Sequence, residues 1–291
     1  MDPSRISALL EPFFGPPGDR RLTTGDLDKI STYIDLLLRW NARINLTSIR
    51  DPEQIVTRHF GESFFLARHL FPDPAGVERA LVERTPGPAE RHAFPRSGEE
   101  ILLSAPDAAL NAGFHPAGDR SRLVARRSKL VIDLGSGAGF PALPIKIWAP
   151  HVHLTLIESN LKKATFLREA ARALTLTDVD VISERAEAIA DRVAAQIPNS
   201  DLPNSSQSQP NTKIVVQPAD VVTFRAVEKF TEILPTAVKF LAADARLAIL
   251  ITTTQQEALK ALPEMTWQTI HVPRSHSSVL AIGHHSPNQS R

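Results

Sequence analysis

The fold signal of this chain is strongest in one segment, Val131-Ile132-Asp133-Leu134-Gly135-Ser136-Gly137-Ala138-Gly139. Its first half is an apolar run typical of a short buried strand. The glycines at alternating positions then predict a sharp turn into a helix. Such a turn lets a ligand approach the backbone closely and meet amide groups at the helix N-terminus. We therefore expect a ligand site where this strand ends.

Downstream of this segment, short apolar runs alternate with stretches of helical periodicity. The predicted strands are 130–132, 153–157, 178–183, 219–224, 246–252, 267–272 and 278–282. The predicted helices are 141–148, 161–174, 186–194, 229–241 and a short helix near Gln255. This alternation predicts a parallel sheet with right-handed crossovers.

Upstream of the sheet, apolar residues at helical spacing predict helices over 24–41 and 52–70. Thr23 and Asp26 have the spacing of a capping box, and Pro52 suits the first turn of a helix.

Three regions follow from these patterns. Residues 1–71 form a helical N-terminal lobe, and residues 72–128 form a proline-rich insertion that we expect to be largely irregular. Residues 129–291 form the α/β domain. Within it, residues 196–218 are rich in Pro, Asn, Ser and Gln and predict a flexible loop.

Composition excludes several functional classes. The 291 residues include no cysteine, which rules out thiolate metal sites, iron–sulfur clusters and cysteine nucleophiles. The formal net charge is +1 and 42% of the residues are hydrophobic, so we expect a packed core and not a purely electrostatic nucleic-acid binder. No apolar run reaches the ~20 residues of a membrane helix. The N-terminus also lacks a signal-peptide pattern, so we expect a cytoplasmic protein.

The next predicted strand ends at Glu158, about 20 residues after the glycine turn, where a carboxylate can accept hydrogen bonds from both hydroxyls of an adenosine ribose. Asp133, two residues before Gly135, suits the cationic amino group of S-adenosylmethionine and would repel a pyrophosphate. We therefore expect S-adenosylmethionine as the cofactor. A dinucleotide-dependent oxidoreductase stays open, because Gly137 and Ala142 fit the glycine-rich fingerprint.

Several segments, taken in order over about two-thirds of the chain, resemble one family. They are Trp40-Asn41, Asn45-Leu46-Thr47, Arg58 to Ser63, Val131 to Pro144, Glu158-Ser159, Lys162-Lys163, Phe166-Leu167, Arg185-Ala186-Glu187 and Phe224-Arg225-Ala226. The family is the small-subunit rRNA guanine-N7 methyltransferases, also called the glucose-inhibited division protein B family. The resemblance implies a class I, Rossmann-like α/β methyltransferase fold with a seven-stranded, mostly parallel sheet and a small helical N-terminal lobe. It also implies methylation of N7 of one guanine near the decoding centre of 16S rRNA.

The resemblance assigns roles to residues at the matching positions. The expected cofactor-binding residues are Asp133, Gly135, Gly137, Phe140, Glu158 at the ribose, Ala186 and Glu187 beside the adenine, and Arg225 where donor and guanine meet. The expected catalytic residues are Arg225 and His59. The expected RNA contacts are Arg58, Ser63, Lys162 and Lys163, together with Arg126 and Arg127 from a basic run before the first strand.

Purely structural alternatives stay open for four of these residues, and for Arg126 and Arg127 the alternative is a solvated run of charges. Arg225 can instead form an ordinary ion pair with Glu228, and His59 can be a core histidine. His151 and His153 share one side of a strand start but lack a third ligand nearby, so we expect no metal site.

Three features depart from the family pattern. Glu62 stands where the family usually has aspartate, Thr252-Thr253-Thr254 replaces a Lys-Gly pair, and Gly283-His284-His285 replaces a basic strand. The last two remove expected RNA contacts. They leave open a non-catalytic ribosome- or RNA-binding protein that retains the donor pocket.

The implied reaction places few demands on the protein. Guanine N7 carries a lone pair and no proton, so it can attack a sulfonium methyl without a general base, and the protein needs to position the reactants and exclude water. The expected partner is 16S rRNA or the small ribosomal subunit, and we expect the protein to be a monomer.

Overall fold

The computed structural model describes residues 1–16, 19–72, 128–195, 216–227 and 229–285. Nearly all of the predicted insertion, with Arg126 and Arg127, lies outside the described residues. So do Glu228 and most of the predicted loop at 196–218. In the described ranges, no helix combines the length and the hydropathy that crossing a membrane requires.

The N-terminal region is helical, as predicted. Its helices are α1 Pro3–Leu10, α2 Thr24–Asn41, α3 Pro52–Gln54 and α4 Glu62–Leu70. The capping box at the start of α2 is present, because Thr23 and Asp26 each accept a hydrogen bond from the other's backbone amide. Helix α1 was not predicted, although Asp2 caps it and Pro3 occupies its first position.

The predicted helix over 52–70 is present, but its middle is not α-helical. Residues Ile55–Gly61 have π-helical hydrogen bonding and join α3 to α4. Such segments are rare and are frequent at functional sites. This one carries Arg58 and His59.

Seven strands form one mixed sheet. They are β1 Leu130–Leu134, β2 His153–Ile157, β3 Val179–Ile182, β4 Ala219–Arg225, β5 Leu241–Thr252, β6 Met265–His271 and β7 Ser278–His285. Their order is β3-β2-β1-β4-β5-β7-β6. The first five are parallel, and β7 is antiparallel to both β5 and β6. The predicted seven-stranded, mostly parallel α/β fold is confirmed.

Helices connect the parallel strands. They are α5 Ala142–Trp148, α6 Leu161–Ala173, α7 Ala186–Ala195 and α8 Phe230–Val238, and a 3₁₀ helix over Thr253–Ala261 precedes β6. The predicted end of the fourth helix at Leu241 was wrong. Leu241 instead pairs with Ala219 of β4, so β5 begins five residues before the predicted Arg246.

Helices cover both faces of the sheet, and the two faces belong to different cores. Val131 packs in one core with α2, α4 and α5, whereas Ile132 and Leu134 pack in the other with α7 and α8. Because side chains alternate along a strand, Asp133 lies on the face of Val131, beneath the N-terminal helices.

Candidate active site

The three glycines after β1 all have left-handed backbone conformations, with φ of +64° at Gly135, +52° at Gly137 and +82° at Gly139. Their surroundings differ. A Cβ on Gly137 would meet only the carbonyl oxygen of Gly135, at 3.7 Å, whereas a Cβ on Gly139 would overlap the Tyr33 hydroxyl and Leu143. Gly137 therefore borders open space, and Gly139 permits close packing.

Glu158 holds the glycine turn in place. Its Oε2 accepts a hydrogen bond from the backbone amide of Gly137 at 2.8 Å, and its Oε1 accepts one from the amide of Asn160 at 2.8 Å. The side chain is buried. Each carboxylate oxygen has a further lone pair, so Glu158 can still accept hydrogen bonds from a ligand.

A cavity of about 490 Å³ opens at the carboxyl edge of the sheet, over the ends of β1 to β4. Four predicted cofactor residues line it, namely Gly135, Glu158, Ala186 and Glu187, as does Lys163. Its size is typical of a small-molecule site. Ligands of parallel α/β sheets bind at this edge.

Asp133 is almost completely buried on the sheet face that the N-terminal helices cover. Neither of its carboxylate oxygens has a hydrogen-bond partner among the described residues. Burial raises the pKa of Asp133 well above its usual value, the nearby Ser136 hydroxyl opposes this rise, and the Glu158 carboxylate adds to it. Its register neighbour on β4, Thr223, is fully buried, and the Thr223 hydroxyl is likewise without a partner in the described residues. A carboxylate left in this state favours a cationic ligand and disfavours a pyrophosphate.

Tyr33 of α2 connects the N-terminal helices to the glycine turn. Its hydroxyl donates to the carbonyl oxygen of Ala138 at 2.5 Å. Its ring stacks on Phe140, with the ring centroids 5.3 Å apart and the planes 7° apart.

His59 stacks on Phe140 as well, with centroids 4.8 Å apart. Its Nε2 lies 2.8 Å from the Thr47 hydroxyl, and its Nδ1 is buried without a partner in the described part of the chain. Burial lowers the pKa of His59 to about 3, and the charges of Arg225 and Arg58 act in the same direction. His59 is therefore neutral across the physiological pH range.

Arg225 ends β4 and pairs with Glu62 of α4, with Nη2 2.6 Å from Oε2. The other carboxylate oxygen of Glu62 accepts a hydrogen bond from Ser278 at 3.0 Å. Glu62 is buried and Arg225 is partly buried, and the Nη1 of Arg225 has no partner among the described residues. Glu62 thus fixes the guanidinium and leaves one of its nitrogens available.

A second cavity of about 360 Å³ lies beside this pair, between the π-helical segment and the β6–β7 turn. Arg58 and Glu62 line it on one side, and Arg274 and His276 line it on the other. Arg58, Arg274 and His276 are exposed. This smaller cavity is separate from the larger one. It presents positively charged side chains to a ligand.

The remaining predicted residues have mixed positions. Lys162 is exposed at the start of α6. Ser63 is fully buried, and its hydroxyl donates to the His59 carbonyl oxygen at 2.5 Å, so it has no surface to offer RNA. His153 contacts Asp180, with 2.8 Å between Nε2 and Oδ2. In the described ranges, no group of three or more possible metal ligands exists.

Sequence reasoning missed four polar residues that complete these arrangements, namely Tyr33, Thr47, Glu62 as the partner of Arg225, and Thr223. Thr47 and Glu62 stand in segments that carry the family resemblance, which was an available signal. Tyr33 and Thr223 lie in helix and strand patterns that are typical of core positions.

Comparison with known proteins identifies the family of this chain. The GidB family model, described as rRNA small subunit methyltransferase G, matches residues 26–74 and 120–282. A protein named ribosomal RNA small subunit methyltransferase G from Roseiflexus castenholzii is 35% identical over 169 residues, which are 58% of this chain and 49% of that protein. A protein of the same name from Chloroflexus aggregans is 33% identical over 162 residues, which are 56% of this chain and 45% of that protein.

A third relative of that name, from Xanthomonas axonopodis pv. citri, is 29% identical over 192 residues, which are 64% of each chain. The chain spans about half the length of the first two relatives. Since the family model covers well over half of the chain, the protein belongs to the rRNA small subunit methyltransferase G family and has its α/β methyltransferase fold.

Proposed function

We propose that this protein transfers a methyl group from S-adenosylmethionine to N7 of a guanine in 16S rRNA, either in the free RNA or in the small ribosomal subunit. One observation carries the proposal. The carboxylate of Asp133 is buried and unpartnered among the described residues, beside the glycine turn of a chain in an rRNA methyltransferase family.

S-adenosylmethionine, when bound, supplies an electrophilic methyl group on a sulfonium sulfur. Asp133 accepts hydrogen bonds from its amino group, and the free lone pairs of Glu158 accept those of the ribose hydroxyls. Gly135 and Gly137 leave room for the ligand at the turn. Ala186, which is buried, and Glu187, which is exposed, border the adenine in the larger cavity.

The chain's remaining task is to orient the guanine. The free Nη1 of Arg225 donates to an acceptor on the base, a phosphate or the donor carboxylate, and the Phe140 ring forms an apolar wall that excludes water. Attack of N7 on the methyl carbon would break the carbon–sulfur bond, release the sulfur as a neutral thioether and place the positive charge on the guanine ring. No proton leaves N7, so no residue acts as a general base.

The RNA approaches the smaller cavity, where Arg58 of the π-helical segment faces the β6–β7 turn. Lys162 and Lys163 at the start of α6 extend the basic surface near the larger cavity. Ser63, which is buried, supports the helix and takes no part in RNA binding. We propose that the protein acts as a monomer in the cytoplasm, where its RNA substrate is found.

The test is methyl incorporation from labelled S-adenosylmethionine into purified 16S rRNA and into small subunits. Wild-type protein should label one of the two, and the Asp133→Asn variant should fail to do so while remaining folded. The same protein should bind S-adenosylhomocysteine and not NADH in calorimetry. Binding of NADH alone, with no methyl incorporation, would remove the proposed function.

A further inference from the structure

The contact between Thr47 and His59 favours one of the two positions for the proton of the neutral ring. The Thr47 Oγ1 lies 2.8 Å from His59 Nε2 and also accepts a hydrogen bond from the amide of Ile49 at 3.1 Å. If Nε2 carried the proton, Oγ1 would receive two donors and its own hydrogen would have no acceptor in the described part of the chain. If Nε2 is unprotonated, the Thr47 hydroxyl donates to it, and both the hydroxyl hydrogen and Nε2 are satisfied.

The second arrangement places the proton of the neutral ring on Nδ1. This nitrogen is buried and makes no hydrogen bond to the described residues. A buried N–H without an acceptor is costly in an empty site and is satisfied when a ligand brings an acceptor. Stacking of the ring on Phe140 fixes the direction of the N–H.

We propose that His59, held by Thr47 in its Nδ1–H form, is a specificity-determining hydrogen-bond donor that recognises O6 of the target guanine. The inference rests on the proposed function, because it concerns the substrate of that site. It gives His59 a role opposite to that of a base: the residue presents a proton and does not remove one.

The surroundings of His59 favour an acceptor on the RNA base. The charges of Arg225 and Arg58 both lower the pKa of the ring, so the surroundings of His59 favour an acceptor over a cation. His59 does not line the larger cavity, which we assign to the adenosine end of the donor. Guanine presents O6 beside N7, whereas adenine presents an amino group there, so an N–H donor at this point separates the two purines.

A matched pair of variants tests the direction of the N–H. The side-chain amide of asparagine lies roughly where Nδ1 does, and that of glutamine lies roughly where Nε2 does. His59→Gln should therefore lose roughly tenfold or more in kcat/KM, the usual cost of one lost base contact, and His59→Asn should lose clearly less. Thermal unfolding must show that both are folded, and equal losses in the two folded variants would overturn the proposal.

Variants of Thr47 provide a second test of the proposal. Thr47→Val removes the hydroxyl at nearly constant shape and should lower methyl transfer, whereas Thr47→Ser should retain it. In the ¹⁵N spectrum of the full-length protein, the His59 signals, identified by their loss in His59→Asn, should show a protonated Nδ1 and an unprotonated Nε2. A protonated Nε2 in the wild-type protein would overturn the proposal without any assay of activity.

The base itself is tested with 16S rRNA ligated to carry 2-aminopurine, which has N7 but lacks O6, at the modified position. Wild-type protein should methylate it at least tenfold more slowly than guanine, and His59→Gln should show little further loss. Affinity for S-adenosylhomocysteine should be unchanged in His59→Gln. A tenfold loss of that affinity would move the contact to the donor carboxylate and overturn the guanine assignment. If the wild-type protein methylates no RNA, the proposed function is wrong. The tautomer of His59 is still tested by the ¹⁵N spectrum.

Discussion

At the scale of single residues, we expect the buried carboxylate of Asp133 to lower the stability of the folded protein and to strengthen ligand binding. Its pKa is raised by burial, so the unfolded chain releases this proton near pH 4, at a lower pH than the folded chain does. The folded state therefore loses stability as the pH rises above 4, and the site is less stable than it would be with a neutral side chain.

Asp133→Asn should accordingly raise the Tm of the ligand-free protein at pH 7 by about 2 °C or more, and have little effect on it near pH 4. It should also weaken binding of S-adenosylhomocysteine, since the amide presents only one acceptor oxygen. Differential scanning calorimetry at the two pH values measures the first effect. Asp191→Asn, which removes one charge of an exposed ion pair, is the matched control. An equal loss of Tm at both pH values in Asp133→Asn would contradict the predicted destabilisation by the buried carboxylate.

The depressed pKa of His59 makes a second prediction. A group that titrates at about 3 stays neutral from pH 6.5 to 8.5, and N7 needs no base. The single-turnover rate at saturating RNA should therefore be nearly flat over that range. A rate that rises tenfold per pH unit, with the slope lost in His59→Gln, would make His59 a base and N7 the wrong acceptor atom.

At the scale of elements, the glycine turn predicts two different costs. Gly137→Ala should destabilise the protein by about 1 kcal/mol, because its positive φ disfavours a side chain but nothing fills the space. Gly139→Ala should cost roughly 2–4 kcal/mol, since its Cβ would also overlap the Tyr33 hydroxyl. Urea unfolding measures both values. Equal costs would mean that Tyr33 does not hold the turn.

The strands of the sheet could be predicted because their apolar runs are short, continuous and separated by glycine or proline, and β2 is found at the predicted residues 153–157. The start of β5 could not. Its residues Ala242 to Asp244 lack a strand's apolar pattern, Asp244 has a φ of +59°, and the pairing with β4 is irregular between Leu241 and Arg246. The π-helical segment was missed for a related reason, because one extra residue per turn hardly changes apolar spacing over 55–61.

Some residues of the candidate site could also be predicted from the sequence, and others could not. Gly135 and Glu158 were found because strand ends at one sheet edge must meet, which needs only the order of the elements. The Glu62 contact with Arg225 joins residues 163 positions apart, and it depends on how α4 packs over the sheet. Local sequence patterns do not contain that information, and they suggested Glu228 instead.

At the scale of the whole molecule, the near-zero net charge of +1 means that the proposed RNA binding must depend on a few local cations. Arg274→Ala, in the smaller cavity, should weaken RNA binding and reduce the slope of log K against log salt by roughly 1. Filter binding over a salt series measures this slope. Lys239→Ala, at the end of α8 on the other face of the sheet, is the control and should leave the slope unchanged.

The central claim is that the donor pocket serves N7 methylation of 16S rRNA. The most direct measurement incubates the full chain with S-adenosylmethionine and unmodified 16S rRNA or small subunits. It then maps N7-methylguanine by reduction and aniline cleavage of the strand. One new cleavage position in 16S rRNA is expected, and it should be absent with Asp133→Asn. A protein that binds S-adenosylhomocysteine but leaves every guanine N7 unmodified in both substrates would contradict it.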